Sequence, residues 1–407
     1  MRPFPEIAPE GARVEHDTTD PLVVRTRSVI RDVALPLDDT HDGDIAAAGG
    51  EVARKRLQDA ARAAGVFAPH APMDCGGLGL GMVERAPIFE EAGYSLFGPL
   101  ALNIAAPDEG NIHLLDTVAT AAQRQRYLQP LARGAIRSAF AMTEPAPGAG
   151  ADPTMLATTA SKVDGGWIVN GRKWFITGAD GAAFLITMAR TSGEPGSPGG
   201  ATMFLMPSTT DGVNVVRHVG TVDKSMLGGH CEVSYTDAYV PDDQVLGAVD
   251  EGFHYAQVRL GPARMTHVMR WTGAVRRAHE VGVMHVASRR AFGSRLSDLG
   301  LMHQLIADNE IDLAATRALL LQACIVLDEG GRGSKETSIA KTFAAEALHR
   351  VADRAVQMCG GLGVSTDLPV AKIAREVRPF RIYDGPSEVH RWSIAKRAVR
   401  AIAGEAT

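Results

Sequence analysis

The chain has 407 residues, 45% hydrophobic and 22% charged, with a formal net charge of -5. That length allows two or three domains around a large core, and the balance is that of an ordinary water-soluble protein. The net negative charge gives no footing for nucleic acid, and no apolar run approaches the ~18 residues of a membrane span. Cys75, Cys231, Cys324 and Cys359 are widely spaced with no Cys-x-x-Cys, so neither a disulfide framework nor a zinc or other metal site is expected. The N-terminus lacks the charged start and apolar stretch of a signal peptide. The expectation is a cytoplasmic protein with buried thiols.

Residues 1–20 carry three prolines and several charges and read as a flexible arm. Helical patterns follow from residue 21 to about 131, at 51–64 (stopped by Gly65), 84–92 (closed by Gly93), 107–118 and 121–128. Strand-sized runs then appear at 136–143, 155–163, 166–177, 183–190, 201–207, 213–218 and 231–240, with Asp164-Gly165-Gly166 as a hairpin turn. Strands at this spacing predict a small barrel or sandwich. From Glu251 the pattern is helical again. Residues 302–327 carry a helical apolar stripe, a helix capped by Ser334 ends at Gly360-Gly361, and the last helix spans 385–401. The fold class is therefore α+β: an N-terminal helical domain (21–135), a central β-barrel or sandwich domain (136–250) and a C-terminal four-helix bundle (251–407).

Within Tyr383-Asp384-Gly385-Pro386-Ser387-Glu388-Val389-His390, a carboxylate sits on an Asp-Gly turn with Pro386 at the expected first position of a helix. A base beside unsatisfied backbone N–H groups suits proton abstraction next to a carbonyl. On pattern alone such a turn is more often structural. The histidines at 230, 279, 285, 303, 349 and 390 show no metal-ligand spacing and read as structural or surface residues, with His390 one turn from Pro386. No Gly-x-Gly-x-x-Gly follows a strand, which argues against a Rossmann domain.

Several pieces, taken in order, resemble the acyl-CoA dehydrogenase family from about residue 50 to 400. They are Gly76-Gly77-Leu78-Gly79, Phe140-Ala141-Met142-Thr143-Glu144-Pro145, Asn170-Gly171-Arg172-Lys173-Trp174-Phe175-Ile176-Thr177, Glu251-Gly252-Phe253, Arg289-Arg290-Ala291-Phe292-Gly293, Gln357-Met358-Cys359-Gly360-Gly361-Leu362-Gly363, and the Asp384 turn. The turn resembles the branch of the family's tenth and eleventh members, which read Asp-Gly-Pro-x-Glu-Val-His where better-known members read Glu-Gly-Thr.

The resemblance implies an FAD-dependent acyl-CoA dehydrogenase in fatty acid metabolism, with Asp384 as the α-proton base. Arg264 would hold the turn from the helix beneath. Some relatives keep their base on that helix at the position of Ala263, which cannot abstract a proton. Phe140, Met142, Thr143, Phe175 and Thr177 would lie along the isoalloxazine ring, with Pro386 and Glu388 nearby. Arg289, Phe292, Gln304, Gln357, Gly360 and Gly361 would hold the FAD adenosine diphosphate across a subunit interface of a homo-oligomer, a dimer of dimers. Tyr383, Gly385 and Ala151 would face substrate. Ala151 stands where relatives carry a Ser, and its loop is about two residues longer. The implied partners are an acyl-CoA substrate and an electron-transfer flavoprotein as acceptor. Two alternatives stay open: a same-fold oxidase of the nitroalkane-oxidising type, and a flavin-binding scaffold without turnover.

Overall fold

The computed structural model describes residues 19–404, so nearly all of the expected arm lies outside the described residues. Helix α1 (Pro21–Val29) starts at Asp20, whose carboxylate accepts from the Leu22 N–H at 2.7 Å, with Pro21 in the first turn. Helices α2 (Glu51–Ala63), α3 (Met82–Gly93) and α4 (Asp108–Val118) follow. Gly65, at φ 67°, ends α2 where the pattern predicts.

Helix α3 begins two residues before its expected start, for a reason remote in sequence. The Asp328 carboxylate accepts from the Met82 and Val83 N–H groups at 2.6 and 2.9 Å, capping α3 from a segment distant in the chain. At its other end, a Cβ on Gly93 would fall 1.9 Å from the Arg270 carbonyl oxygen. A Cβ on Gly273 would fall equally close to the Glu90 carbonyl. The two backbones touch because both residues lack side chains.

The central strands are β1 (Ser138–Ala141), β2 (Thr159–Val163), β3 (Gly166–Thr177), β4 (Phe184–Arg190), β5 (Ala201–Pro207), β6 (Val213–His218), β7 (His230–Pro241) and β8 (Val245–Leu246). The short β8 has no counterpart among the expected runs. One sheet runs in the order β6-β7-β3-β2-β4-β5-β8, with β1 parallel to β4. It folds over on itself. Thr187 on β4 lies 3.0 Å from the Tyr235 hydroxyl on β7, and the Trp167 ring meets Phe204 at 5.8 Å, although these strands are not neighbours. The enclosed core is thus sandwich-like. The outer faces of β4 and β5, through Phe184, Ile186, Met203 and Leu205, join the helical core.

The C-terminal part comprises α5 (Gly252–Ser288), α6 (Gly300–Asp328), α7 (Ser334–Met358), α8 (Val370–Val377) and α9 (Ser387–Ala403). Two expected boundaries shift. Ser334 is the first residue of α7 rather than its cap: Gly333, at φ 55°, is the N-cap, and its carbonyl accepts from the Thr337 N–H at 2.8 Å. Pro386 is the N-cap of α9 rather than its first residue. Asp384 and Gly385 are left-handed, at φ 53° and 95°, so the helix cannot start before them.

A buried ion pair ties the loop after β1 to β3. Lys173 Nζ lies 2.8 Å from Glu144 Oε1 with both side chains almost fully enclosed. The Glu144 carboxylate also accepts from the N–H groups of Ala149, Ala157 and Thr158 at 3.1, 2.7 and 2.9 Å. Burial pushes the Lys173 ammonium down to about 8, against the pull of Glu144. Lys173→Met leaves that carboxylate buried without its counter-charge, and unfolding in urea is expected to show a loss of about 3–5 kcal/mol. A loss below about 1 kcal/mol, the range of an exposed pair, would contradict this account.

Candidate active site

The Asp384-Gly385 turn is gripped by its backbone carbonyls. Arg264 Nε on α5 donates to the Asp384 carbonyl at 2.9 Å. His390 Nε2 on α9 meets the same oxygen at 3.1 Å and must be the donor, since a carbonyl only accepts. Lys341 Nζ on α7, fully buried, donates to the Gly385 carbonyl at 2.6 Å. Three helices therefore converge on two consecutive oxygens. The Asp384 and Gly385 N–H groups donate to no acceptor among the described residues.

The carboxylate itself is held less directly. Oδ2 of Asp384 is buried and lies 3.2 Å from His267 Nε2, outside good hydrogen-bond geometry, with no other donor among the described residues. The side chain is 17% exposed. Burial pushes the carboxyl up, but the approach of the His267 N–H and the guanidiniums of Arg259 and Arg264 outweigh it and hold the group well below the usual carboxylate range. His267 is pushed down by burial and by Arg270, against Asp384, and is neutral at pH 7. Burial, Arg264 and Lys341 push His390 down to about 4, so it too is neutral.

A cavity opens beside this group. Leu96, Pro99, Leu100, Ala105, His267 and Trp271 are among the residues that line it. Trp271 Nε1 donates to the Tyr383 hydroxyl, and the Tyr383 ring packs on His267 with centroids 4.8 Å apart. A chain of bonds ties β1 to the same place. Arg259 Nε donates to Asn111 Oδ1 at 2.8 Å, Asn111 Nδ2 to Ser138 Oγ at 2.9 Å, and the Arg259 guanidinium lies 4.2 Å over the Phe140 ring.

The structure thus brings Asp384, Arg264, Tyr383, Gly385 and Phe140 into one neighbourhood. Ala263, on the same helix, is buried and offers no second base. Met142 and Thr143 have their carbonyls occupied, by Lys173 Nζ and the Trp174 N–H, both at 3.0 Å. Phe175 is left-handed at φ 53° and 44% exposed. Thr177 Oγ1 lies 2.9 Å from His230 Nδ1, whose Nε2 meets Asp223 Oδ2 at 2.8 Å. His230, read as structural or surface from sequence, is therefore part of an Asp–His–Thr chain beside a second cleft. His279 likewise pairs with Glu310, at 2.9 Å.

Arg289, Phe292, Gln304, Gln357, Gly360 and Gly361 are exposed on the bundle and make no hydrogen bond or ion pair with the Asp384 group. Ala151 and Glu388 are exposed, and Pro386 is half-buried. Sequence reasoning missed His267, Arg259, Arg270 and Lys341. The available signal was helical phase: His267 and Trp271 follow Arg264 by three and seven residues on one face of α5.

Models of the N-terminal, middle and C-terminal domains of acyl-CoA dehydrogenase match residues 22–135, 139–238 and 250–399. The chain is 40% identical over 323 residues to FadE2 of Mycobacterium tuberculosis, a protein assigned as an acyl-CoA dehydrogenase, covering 78% of this chain and 79% of that one. It is 35% identical over 350 residues to acyl-CoA dehydrogenase family member 11 of Mus musculus, covering 84% of this chain but only 44% of that relative. A candidate acyl-CoA dehydrogenase from Mycobacterium abscessus shares its fold with a TM-score of 0.86 at 35% identity, over 94% of this chain and 98% of that chain. Butyryl-CoA dehydrogenase from Megasphaera elsdenii does so with a TM-score of 0.84 at 25% identity, over 96% and 100%.

The turn geometry generates a direct test. At Gly385 a methyl group would sit 2.7 Å from His390 Nε2 on a backbone at φ 95°. Gly385→Ala is expected to lower unfolding stability by about 1–3 kcal/mol, read by denaturant titration. An unchanged midpoint would show that the turn is not confined as described.

Proposed function

The chain belongs to the acyl-CoA dehydrogenase family, and from that membership and the Asp384 geometry we propose that it oxidises an acyl-CoA thioester to the 2-enoyl-CoA with FAD. The observation that carries the reading is a partly exposed carboxylate on a braced turn, held below the usual carboxylate range by the guanidiniums beside it, with alanine at 263 on the adjacent helix. Bound FAD would supply the hydride acceptor for the β-hydrogen.

Every other task falls to the chain. Asp384 takes the proton from the carbon next to the thioester carbonyl. The charge that develops on the carbonyl oxygen needs donors already in place, and the free N–H of Asp384 meets that need. Tyr383 and Trp271 wall the reacting carbons. Aspartate is one methylene shorter than the glutamate of better-known relatives. The left-handed backbone explains why it is tolerated here, since Asp and Asn adopt that conformation more readily than Glu.

The cofactor's contacts follow from chemistry that the surface offers. A Cβ on Gly360 or Gly361 would meet nothing within 4 Å, so a pyrophosphate can approach the backbone closely there. Arg289 supplies a guanidinium fork for the phosphates, and Phe292, 92% exposed, supplies an aromatic face. With Gln304 and Gln357 these groups would hold the FAD of a neighbouring subunit. Exposed Ile311, Leu321 and Ile325 on α6, and Trp392, Val399 and Ile402 on α9, offer apolar surface for that assembly. An electron-transfer flavoprotein would accept the electrons.

Asp384→Asn keeps the left-handed turn and removes the base. The variant is expected to retain FAD but to lose flavin bleaching by acyl-CoAs under anaerobic mixing by at least ~100-fold. Near-normal bleaching would refute the assignment, and efficient turnover with oxygen in place of an artificial electron acceptor would favour an oxidase. Arg289→Ala is expected to lower flavin content and oligomer size together, with Arg289→Lys recovering only part. Size-exclusion chromatography followed at the flavin absorbance band measures both. A protein of normal size with full flavin would remove the trans-subunit site.

A further inference from the structure

We infer that His267 is a positioning residue that presents one fixed hydrogen-bond donor to the buried oxygen of Asp384, its direction set by donor-only side chains behind it. The inference rests on Asp384 being the base.

The argument starts from which atoms can only donate. Arg270 Nη2 lies 2.8 Å from His267 Nδ1. A guanidinium has no lone pair to offer, so Nδ1 must be the acceptor. The single proton of the neutral ring is then on Nε2, the atom 3.2 Å from Asp384 Oδ2. A second line of donors points the same way. The Trp271 indole N–H donates to the Tyr383 oxygen. The Tyr383 phenolic hydrogen is left to turn toward His267 Nδ1, 3.4 Å away. Both lines run from groups that cannot accept, through the imidazole, to the carboxylate.

The surrounding charges fix the protonation state. Arg259, Arg264 and Arg270 face the pair from α5, Lys341 from α7 and His390 from α9, while Glu109 on α4 is the opposing carboxylate. A second proton on His267 would have to sit on Nδ1, against the Arg270 guanidinium. The ring therefore neither accepts the substrate proton nor relays it. It holds one carboxylate oxygen in place and ionised, and leaves the other to face the reacting carbon. Oδ2 makes no aligned hydrogen bond in this geometry, and among the described residues the His267 N–H, 3.2 Å away, is the donor that a small turn of the ring or carboxylate brings onto it.

The test compares His267→Leu with His267→Gln in the FAD-loaded protein. Glutamine keeps an N–H for Asp384 and an oxygen for Arg270; leucine keeps neither. Without the donor the Asp384 carboxyl rises, and the base is lost as pH falls. His267→Leu is expected to reduce its flavin with acyl-CoA about 10-fold more slowly than wild type, with the acid limb of its rate profile moved up by about 1–2 pH units and substrate affinity little changed. His267→Gln is expected to restore most of the flat wild-type profile. A uniform rate loss at every pH in both variants would reduce His267 to packing and overturn the inference.

A second measurement needs no substrate. In protein labelled with 15N-histidine, His267 is expected to hold the neutral Nε2–H tautomer at about pH 7 to 8. Titration in that range, or an Nδ1–H tautomer, overturns it. If no acyl-CoA bleaches the wild-type flavin, the proposed reaction falls, while the imidazole spectrum still decides the donor's direction.

Discussion

Two neighbouring carbonyl oxygens, those of Asp384 and Gly385, are the point on which this molecule is organised. Arg264, His390 and Lys341 reach them from three helices far apart in sequence. Each bond is to backbone, so the grip holds the turn without using the carboxylate. The Asp384 side chain is then free of structural duty on one side. Charged donors to a carbonyl are stronger than neutral ones, and burial strengthens them further. The left-handed conformation at both residues is sustained by this bracing.

The same device recurs in the β domain with the charges reversed. There a buried carboxylate, Glu144, gathers three N–H groups and the Lys173 ammonium. In one place two cations and a neutral imidazole collect carbonyls, in the other an anion collects amides. Both fix an irregular segment that has no sheet or helix to satisfy it. The loop of residues 145–158, rich in Gly and Ala, has few side chains of its own to hold its shape beyond Asp152, which caps Thr154.

Most of the fold was legible because period and punctuation agree along the chain. Gly166–Thr177, Ala201–Pro207 and Val213–His218 form strands at the positions that alternation and turn residues mark. The order of family motifs led to the correct family and branch, since those motifs carry information that periodicity lacks. What escaped was contact between distant segments. Asp328 capping α3 has no local signature. Ser334 has the chemistry of a cap, but Gly333 already supplies the left-handed turn. His267 looked like one more helical histidine because its meaning depends on Arg270 behind it and Asp384 in front.

The glycine contact between α3 and α5 bears on how this enzyme can diversify. Gly93 and Gly273 each rest against a carbonyl of the opposite helix, so main chain sets the spacing there. One wall of the cavity is therefore a fixed datum. Leu96 follows α3 in the chain and lines the cavity, and its side chain can change without moving the helix that carries Arg264 and His267. Selection can remould the cavity lining there while α5 stays in register, so the lining can vary independently of the Asp384 turn.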